Sequence, residues 1–388
     1  METFDNARIK WPYVTHLVDR ARAVRVLPPV EETRPGALLL ARVVTIGRHK
    51  DLETSDGRRM ALYTGDVFVA VLGHRYATDQ FEGRAYCSGT FGHIVGIGGV
   101  CGEVVSMNNR MTEPTVIEWL GRLADADGNA LELGQFPLPV AAPRSAKRPT
   151  TILSLGASMN SGKTTTAAQL IRSLTTAGHR VAAAKITGTA CRKDPNFLFD
   201  AGALVVLDFT HAGWPSTAGC SLDELRAVSA HIRTALAAHD PDFVVIEIAD
   251  GIVQRETALL LADEAFRASI DGVTFAGPDA LSCEAGVRRL RELGYPVIGA
   301  AGMVANGALG IAEVEQATDV RCYSGEMILA GALVPALRAL PDAPRGGGIV
   351  VGAIGERRPA PRPIAAAARL AARIGHDDVA GPARSAAR

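Results

Sequence analysis

Eight consecutive residues near the middle of the chain have the types and spacing of a phosphate-binding loop. They read Ala157-Ser-Met-Asn-Ser-Gly162-Lys163-Thr164. Residues 151–155 before the loop are apolar and strand-like, and residues 164–176 read as a helix that ends at Gly178. A strand, a tight loop and a helix N-terminus direct several backbone N–H groups at one anion. The pattern predicts a Walker A site for a nucleoside triphosphate.

The side chains of this loop indicate how a triphosphate and its metal ion would be held. Lys163 is placed to bridge the β- and γ-phosphates, and the hydroxyl of Thr164 is placed to bind Mg²⁺. The cofactor-binding residues predicted from the loop are Asn160, Ser161, Gly162, Lys163, Thr164 and Thr165.

Three further strand-like segments each end in a charged residue. Lys185 ends the apolar residues 181–184, where an unpaired charge is costly. Asp208 and Glu247 each end an apolar run, the pattern of carboxylates that hold a Mg²⁺ shell beside a phosphate loop. Asp250 competes with Glu247 for the Walker B role. The predicted sets are Lys163, Lys185 and Glu247 for catalysis, and Thr164, Asp208 and Glu247 for the metal ion.

Such a site requires a parallel sheet, and the order of elements along the chain predicts one. From residue 150 to about residue 340, apolar strands alternate with helical stretches, which indicates an α/β P-loop NTPase domain with a mostly parallel sheet. Ligands of such sheets bind beyond the carboxyl ends of the strands. The expected strands are residues 151–155, 181–185, 204–208, 243–248, 272–276 and 297–301, and the expected helices are residues 164–176, 222–238, 256–268 and 284–293.

The segments outside this domain have different patterns. Residues 1–143 carry short apolar runs between turns and predict a β-rich domain, a barrel or a sandwich, in which residues 114–123 read as a short helix. Residues 144–149 are expected to form a linker, and residues 341–388 a low-complexity, partly disordered tail.

Three stretches of the predicted NTPase domain are similar to motifs of dethiobiotin synthetase. Residues 156–165 resemble its loop, G-T-x-x-x-V-G-K-T, and residues 185–189 are similar to its Lys-Pro-Val-x-x-Gly strand end. Residues 302–306, Gly-Met-Val-Ala-Asn, resemble the element whose Asn reads the adenine base. The resemblance covers about residues 150–325 and points to the dethiobiotin-synthetase-like, cobyrinate-amidase-like group of P-loop proteins.

This resemblance implies a cofactor set and assigns roles by position. It implies ATP as the nucleotide, with Asn306 at the adenine, and Thr164, Asp208 and Glu247 as counterparts of the family's Mg²⁺ ligands. The chain also departs from related branches. Ser158 stands where partition ATPases and nitrogenase iron proteins carry an extra lysine that reaches a dimer partner's phosphate. The family's substrate segments are not recognisable, and the β-rich domain has no counterpart there.

Composition limits the classes of partner. The 388 residues carry 41 basic and 41 acidic side chains, so bulk charge favours neither nucleic acid nor a membrane surface as a partner. The six cysteines form no C-x-x-C pair, which is typical of free thiols in a reducing compartment. We therefore expect a cytoplasmic protein, assembled as a homodimer, whose partner is a small-molecule substrate.

Three hypotheses of function follow. The first is an ATP- and Mg²⁺-dependent enzyme of ligase or synthetase type, which phosphorylates a carboxylate or carbamate. The second is a nucleotide-driven switch or chaperone whose β-rich domain binds a cargo, and the third gives that domain a ligand site of its own. The loop of residues 208–220 is a further candidate, with His211 as an acid or base and Trp214 as a stacking surface, or else as a loop anchored by a buried Trp.

Overall fold

The computed structural model describes residues 9–29, 31–32, 34–142 and 148–340. The predicted tail, residues 341–388, lies outside the described residues, as do residues 144–147 of the predicted linker.

The first part of the chain is a small β-barrel. Five of its strands pair in a closed ring in the order β10, β2, β5, β9 and β8, because β8 pairs with both β9 and β10. All ring pairings are antiparallel except that of β5 with β9. The strands are β1 (Arg25–Leu27), β2 (Leu38–Thr45), β3 (Asp51–Glu53), β4 (Arg59–Ala61), β5 (Val67–Leu72), β6 (Arg75–Tyr76), β7 (Phe81–Arg84), β8 (Phe91–Gly96), β9 (Val100–Met107) and β10 (Thr115–Ala124). The predicted β-rich class is confirmed.

The prediction of a helix at residues 114–123 is wrong, because residues 115–124 form the long strand β10. Its side chains alternate between buried and half-buried positions along most of the strand, which is the period of two of a pleated strand. Ile117 and Trp119 point into the barrel core. Gly92 on β8 leaves room for the Trp119 ring, since a Cβ there would lie 2.3 Å from a ring carbon.

The second part is a six-stranded, fully parallel sheet flanked by helices, as the sequence predicts. Its order is β13, β12, β14, β11, β15 and β16. The strands are β11 (Thr150–Gly156), β12 (Val181–Lys185), β13 (Val206–Asp208), β14 (Phe243–Glu247), β15 (Gly272–Ala276) and β16 (Val297–Ala301). The helices are α1 (Lys163–Thr176), α2 (Lys193–Asp200), α3 (Leu222–Ala237), α4 (Arg255–Ala262), α5 (Glu264–Arg267), α6 (Ala280–Glu292), α7 (Ala308–Thr318), α8 (Gly325–Leu329) and α9 (Val334–Arg338).

The helices differ from the sequence expectation in two respects. The helix expected at residues 256–268 is divided at Asp263, because its backbone is extended and its carboxylate caps α5 by accepting from the Phe266 N–H. Helices α2, α7, α8 and α9 had no counterpart among the expected helices. None of the helices in the described part of the chain is long and apolar enough to cross a membrane.

The barrel packs against the segments that follow β12 and β13. Val95 and Val100 of the barrel share one apolar core with Ala190 and Phe209. Gly98 lies against the backbone of Ala190, where a Cβ would come within 2.2 Å of the carbonyl oxygen. All described residues therefore fall in one compact unit, and the barrel covers part of the edge where ligands of a parallel sheet bind.

Candidate nucleotide site

The predicted phosphate-binding loop is a tight turn between β11 and α1. Asn160 and Gly162 have left-handed backbone conformations, with φ of 61° and 103°. A second segment backs the loop, since the Met303 N–H donates to the Ser161 carbonyl over 3.1 Å. Gly302 allows this approach, because a Cβ there would lie 2.4 Å from the same carbonyl oxygen. The strand–loop–helix geometry read from the sequence is confirmed.

Lys163 and Thr164 begin α1, where helical N–H groups have no partner within the helix. The Lys163 ammonium is buried and donates to the Ser158 carbonyl within the loop, 2.6 Å away. Burial lowers its pKa, while the charge of Glu247 opposes that shift. The Thr164 hydroxyl donates to Glu247 Oε1 over 2.9 Å.

Lys185 and Glu247 form the second half of the site. They are register partners on adjacent strands, and the Lys185 ammonium lies 3.3 Å from Glu247 Oε1. Lys185 also pairs with Asp194. Burial alone would lower the pKa of Lys185, but the two carboxylates outweigh it and raise that pKa well above its ordinary value. Lys185 in turn lowers the pKa of Asp194.

Glu247 has one carboxylate oxygen that no described group satisfies. The residue is 1% exposed, and its Oε2 is buried without a hydrogen-bond partner. Its Oε1 receives both the Thr164 hydroxyl and the Lys185 ammonium. An ionised carboxylate that is buried with one oxygen unpaired is costly, so a cation or a donor from a ligand is expected there.

Asp208, in contrast, is absorbed into a buried network that faces the barrel side. The Tyr13 hydroxyl donates to Asp208 Oδ2 over 2.6 Å, and Thr210 and His211 contact Oδ1. Burial alone would raise the pKa of Asp208, but contact with His211 and hydrogen bonds from Thr210 and Tyr13 hold it well below its ordinary value. Asp208 does not line the cavity beside the loop, although it and Glu247 are both register partners of Lys185, and its role as a metal ligand stays a prediction.

The loop of residues 208–220 is held by the same network. His211 is buried and, with Asp208, forms a reciprocal cap on the short 3-10 helix Phe209–Ala212. His211 also lies edge-on to His16, with ring centroids 4.7 Å apart. Trp214 is half-buried and packs against the main core. These contacts favour the anchored-loop interpretation over an acid–base role for His211.

Asp250 lies in the wall of the site, whereas Asn306 does not. Asp250 has a left-handed backbone conformation, with φ of 57°. It lines a cavity beside the phosphate-binding loop, and burial raises its pKa. Asn306 is exposed in the 3-10 helix Met303–Asn306, and Met303 rather than Asn306 lines the cavity. Its expected contact with adenine stays a prediction.

A cavity of about 520 Å³ joins the loop to the strand ends. It brings together most of the predicted site and adds Asp194, which is not among the residues predicted for the site. Ser161 lies behind the loop, with its hydroxyl buried and unpartnered. The predicted residues that line the cavity are Asn160, Gly162, Lys163, Thr164, Thr165, Lys185 and Glu247.

The barrel also reaches the tip of the loop. The Asn160 side-chain amide donates to Asp79 Oδ2 over 2.8 Å, and the Thr78 hydroxyl lies 3.7 Å from the Met159 sulfur. Asp79 and Thr78 belong to the turn between β6 and β7. Neither contact can be read from the loop sequence, because the partners are 81 residues away.

Comparison with known proteins gives partial structural likenesses. No protein-family model and no curated protein match the chain. One similar solved structure is the signal recognition particle 54 kDa protein of Aeropyrum pernix K1 in complex with GDP. The two chains are 20% identical, and the match covers 50% of this chain and 49% of that chain with a TM-score of 0.34. Another is a DUF1611 family protein of Anabaena variabilis, which is 14% identical. That match covers 53% of this chain and 62% of the other chain, with a TM-score of 0.38.

The aligned region thus spans about half of the first of these chains and less than two thirds of the second. The fold rests on the geometry of this chain itself. A parallel sheet whose first strand runs through a Gly-Lys-Thr loop into α1 is a P-loop NTPase-like domain, and here it follows a β-barrel.

Proposed function

We propose that the chain is an ATP- and Mg²⁺-dependent enzyme that transfers a phosphoryl group to a carboxylate or carbamate of a small molecule. The observation that carries the proposal is the unpartnered Glu247 oxygen, buried beside the Thr164 hydroxyl at the start of α1. Lys163 and Lys185 line the same cavity. Two cations, a helix N-terminus and an unsatisfied carboxylate suit a metal-bound triphosphate.

The residues present fit a magnesium ion. No group of three or more His, Cys, Asp or Glu side chains in the described part of the chain could hold a metal ion by itself. Mg²⁺ needs no such group, because it keeps several waters and takes the rest of its oxygens from one or two protein groups and phosphates. Thr164 and Glu247 would hold it, and the bound ion would neutralise charge on the phosphates.

Lys163 and Lys185 would act on the nucleotide through charge. The Lys163 ammonium would exchange the Ser158 carbonyl for phosphate oxygens, which are stronger acceptors. Lys185 would offset negative charge that develops on the transferred group, and Glu247 and Asp194 hold its ammonium in place. Catalysis of this reaction is mostly positioning and electrostatics, and both are available here.

The proposed step forms one bond and breaks one bond. A carboxylate oxygen of the acceptor attacks the γ-phosphorus, and the bond from that phosphorus to the bridging oxygen breaks. The bridging oxygen leaves with the electron pair as part of ADP, and the acceptor becomes an acyl phosphate. An amine of the same or a second molecule then attacks the acyl carbon: the C–N bond forms, the C–O bond to phosphate breaks, phosphate leaves with the electron pair, and the nitrogen releases a proton to water. The similarity to dethiobiotin synthetase motifs at residues 156–165 and 185–189 supports this class of reaction.

ATP rather than GTP is proposed as the nucleotide. Asn306 sits in the segment that backs the phosphate loop, at the position where the resemblance places an adenine-reading Asn. The sequence contains no Asn-Lys-x-Asp motif of the kind that selects guanine.

The test is nucleotide binding to Lys163→Ala, measured by calorimetry with ATP and with GTP in the presence of Mg²⁺. Loss of a charged hydrogen-bond donor to phosphate should weaken ATP binding by about 100-fold. Arg172→Ala is the matched control, because it removes an exposed cation from the C-terminal half of α1, away from the loop. Retained affinity in Lys163→Ala would refute the site. Absence of ADP formation across a panel of carboxylates and amines would count against the reaction.

A nucleotide-driven switch is the second candidate, and the contact between the barrel and the loop tip favours it. A phosphate that displaces Asn160 from Asp79 would alter how the barrel is held. Slow hydrolysis without an acceptor, together with a partner bound only in one nucleotide state, would support the switch over the enzyme.

A further inference from the structure

A second cavity, of about 590 Å³, continues from the nucleotide cavity toward the barrel. The two cavities share Lys185, Asp194 and Asp250 in their walls, so they meet beside the lysine proposed to act on the transferred phosphoryl group. The opposite wall of the second cavity comes from the barrel, around Arg48–Asp51 and Arg75–Ala77. We call it the barrel-side cavity. Its volume is typical of sites for small metabolites.

The walls of the barrel-side cavity are predominantly cationic. Six basic side chains face three carboxylates. Two of the carboxylates are already paired, because Asp51 lies 3.7 Å from Arg59 and Asp194 binds Lys185. The basic residues are Arg48, Lys50, Arg59, Arg75, Lys185 and Lys193.

Arg75 is the residue that most requires an anion. Its guanidinium donates to the Val95 carbonyl over 2.5 Å and to the Gln80 side-chain oxygen over 2.8 Å, both neutral acceptors. Its Nε–H is buried without a partner, and no carboxylate of the described residues lies within ion-pair distance. Arg75 is half-buried, Asp250 is the carboxylate whose charge acts on it, and a bound carboxylate would add a direct ion pair and the missing acceptor.

A second unpartnered group lines the same wall. His49 is 7% exposed, and its Nδ1 is buried without a hydrogen-bond partner. Burial, with the charges of Arg75 and Arg48, lowers the pKa of His49 to about 3, so the ring is neutral. A neutral imidazole beside an unpaired guanidinium offers a polar contact without adding charge.

We infer that the barrel-side cavity binds the phosphoryl acceptor, and that this acceptor is a small acid with a second carboxylate, recognised by Arg75. The reacting group would lie at the junction of the two cavities, beside Lys185 and Asp250. The assignment of the ligand as an acceptor rests on the proposed function, whereas binding of an acid at Arg75 is measurable without turnover. Arg75 would set specificity, since a planar fork pairs with carboxylate in two parallel hydrogen bonds.

The experiment measures binding of mono-, di- and tricarboxylic acids and of phosphomonoesters to the full chain, with and without Mg²⁺ and a non-hydrolysable ATP analogue. Some di- or tricarboxylic acid is expected to bind the wild type, and Arg75→Gln should raise its Kd by about 30-fold or more. Arg75→Lys keeps the positive charge but not the planar guanidinium, so its Kd should lie between those of the wild type and Arg75→Gln. Arg84→Gln is the control, because Arg84 is an exposed residue of β7, the strand paired with β6, and forms an ion pair with Glu82 of its own strand.

Arg75 also contacts the barrel backbone, so a variant on the exposed rim keeps the test independent of folding. Lys50→Glu reverses an exposed charge of the same wall and should weaken acid binding several-fold. If no acid binds the wild type, if phosphomonoesters bind instead, or if both variants bind acids as the wild type does, the inference is overturned. If the wild type binds no ATP analogue but binds an acid through Arg75, the proposed function is refuted. The measurements made without nucleotide then decide whether Arg75 binds the acid.

Discussion

Two buried carboxylates at the ends of neighbouring apolar strands have different surroundings. Asp208 accepts hydrogen bonds from a tyrosine of the barrel side and from its own following turn. Glu247 meets the phosphate-binding loop and the Lys185 ammonium, and keeps one oxygen free. The first carboxylate is consistent with stabilising the interface between the two parts of the chain, and the second is available to a ligand.

We predict that Asp208→Asn lowers the free energy of unfolding at neutral pH by about 2–4 kcal/mol, because it disrupts a buried, hydrogen-bonded charge. The pKa of Asp208 is depressed in the folded state. Its contribution is therefore fully present above the ordinary carboxyl pKa of about 4 and is lost as the pH falls below it. Urea unfolding from neutral to acidic pH should show the difference between variant and wild type shrinking in acid.

The matched variant is Glu247→Gln, which should leave ATP binding with little response to Mg²⁺, because one metal ligand becomes a neutral amide. Asp208→Asn should retain that response. A loss of the Mg²⁺ response in Asp208→Asn would instead restore Asp208 as a metal ligand.

Among the elements, the phosphate-binding loop depends on a segment that follows the last strand of the sheet. Gly302 has φ of 98° and lies against the Ser161 carbonyl and the Gly277 backbone nitrogen. The adjacent Met303 N–H holds the same carbonyl. The curvature of the loop is thus fixed from behind by β16 and its turn, as well as by the glycine within the loop.

We predict that Gly302→Ala weakens ATP binding by about tenfold and destabilises the fold by about 1–3 kcal/mol, because the new methyl group would both strain the backbone and displace the loop. Gly307→Ala is the control in the same segment. Its φ is −143°, and a Cβ there meets no atom within 4 Å. Calorimetric titration and thermal unfolding of both variants test this, and equal behaviour of the two would show that the backing segment has no part in shaping the loop.

For the whole molecule, the shared core couples the barrel to the NTPase-like part. Apolar side chains of both belong to one cluster, and Gly98 is packed directly on the Ala190 backbone. The barrel also supplies Asp79 to the loop tip and Arg75 to the barrel-side cavity. The candidate nucleotide cavity and the barrel-side cavity therefore share wall residues, which two domains on a free hinge would not provide.

We predict one cooperative thermal transition for the full chain, because separation of the two parts would expose their common core. Gly98→Ala should lower the midpoint of that single transition, at a cost of about 1–3 kcal/mol, since the added methyl group overlaps the Ala190 carbonyl. Gly134→Ala, where a Cβ meets nothing within 4 Å, is the control. Two separated transitions, or a shift confined to one of two transitions, would contradict this coupling.

Local sequence patterns predict the parts of the site that are contiguous along the chain. The loop between β11 and α1, its Lys163 and Thr164, and the charged ends of β12 and β14 follow from local patterns. Apolar strands and a Gly-Lys-Thr turn at fixed spacing favour few other conformations. Parallel pairing then places Lys185 opposite Glu247, because both residues end strands at the same edge.

Which distant side chains reach these groups depends on the packing of the whole chain. Tyr13, 195 residues from Asp208, donates a hydrogen bond to that carboxylate inside a buried network. Closure of the barrel makes residues 115–124 a strand and brings Arg75 and Asp79 to the nucleotide side. These outcomes depend on long-range packing and on the exchange of hydrogen-bond partners, which no local pattern of residues encodes.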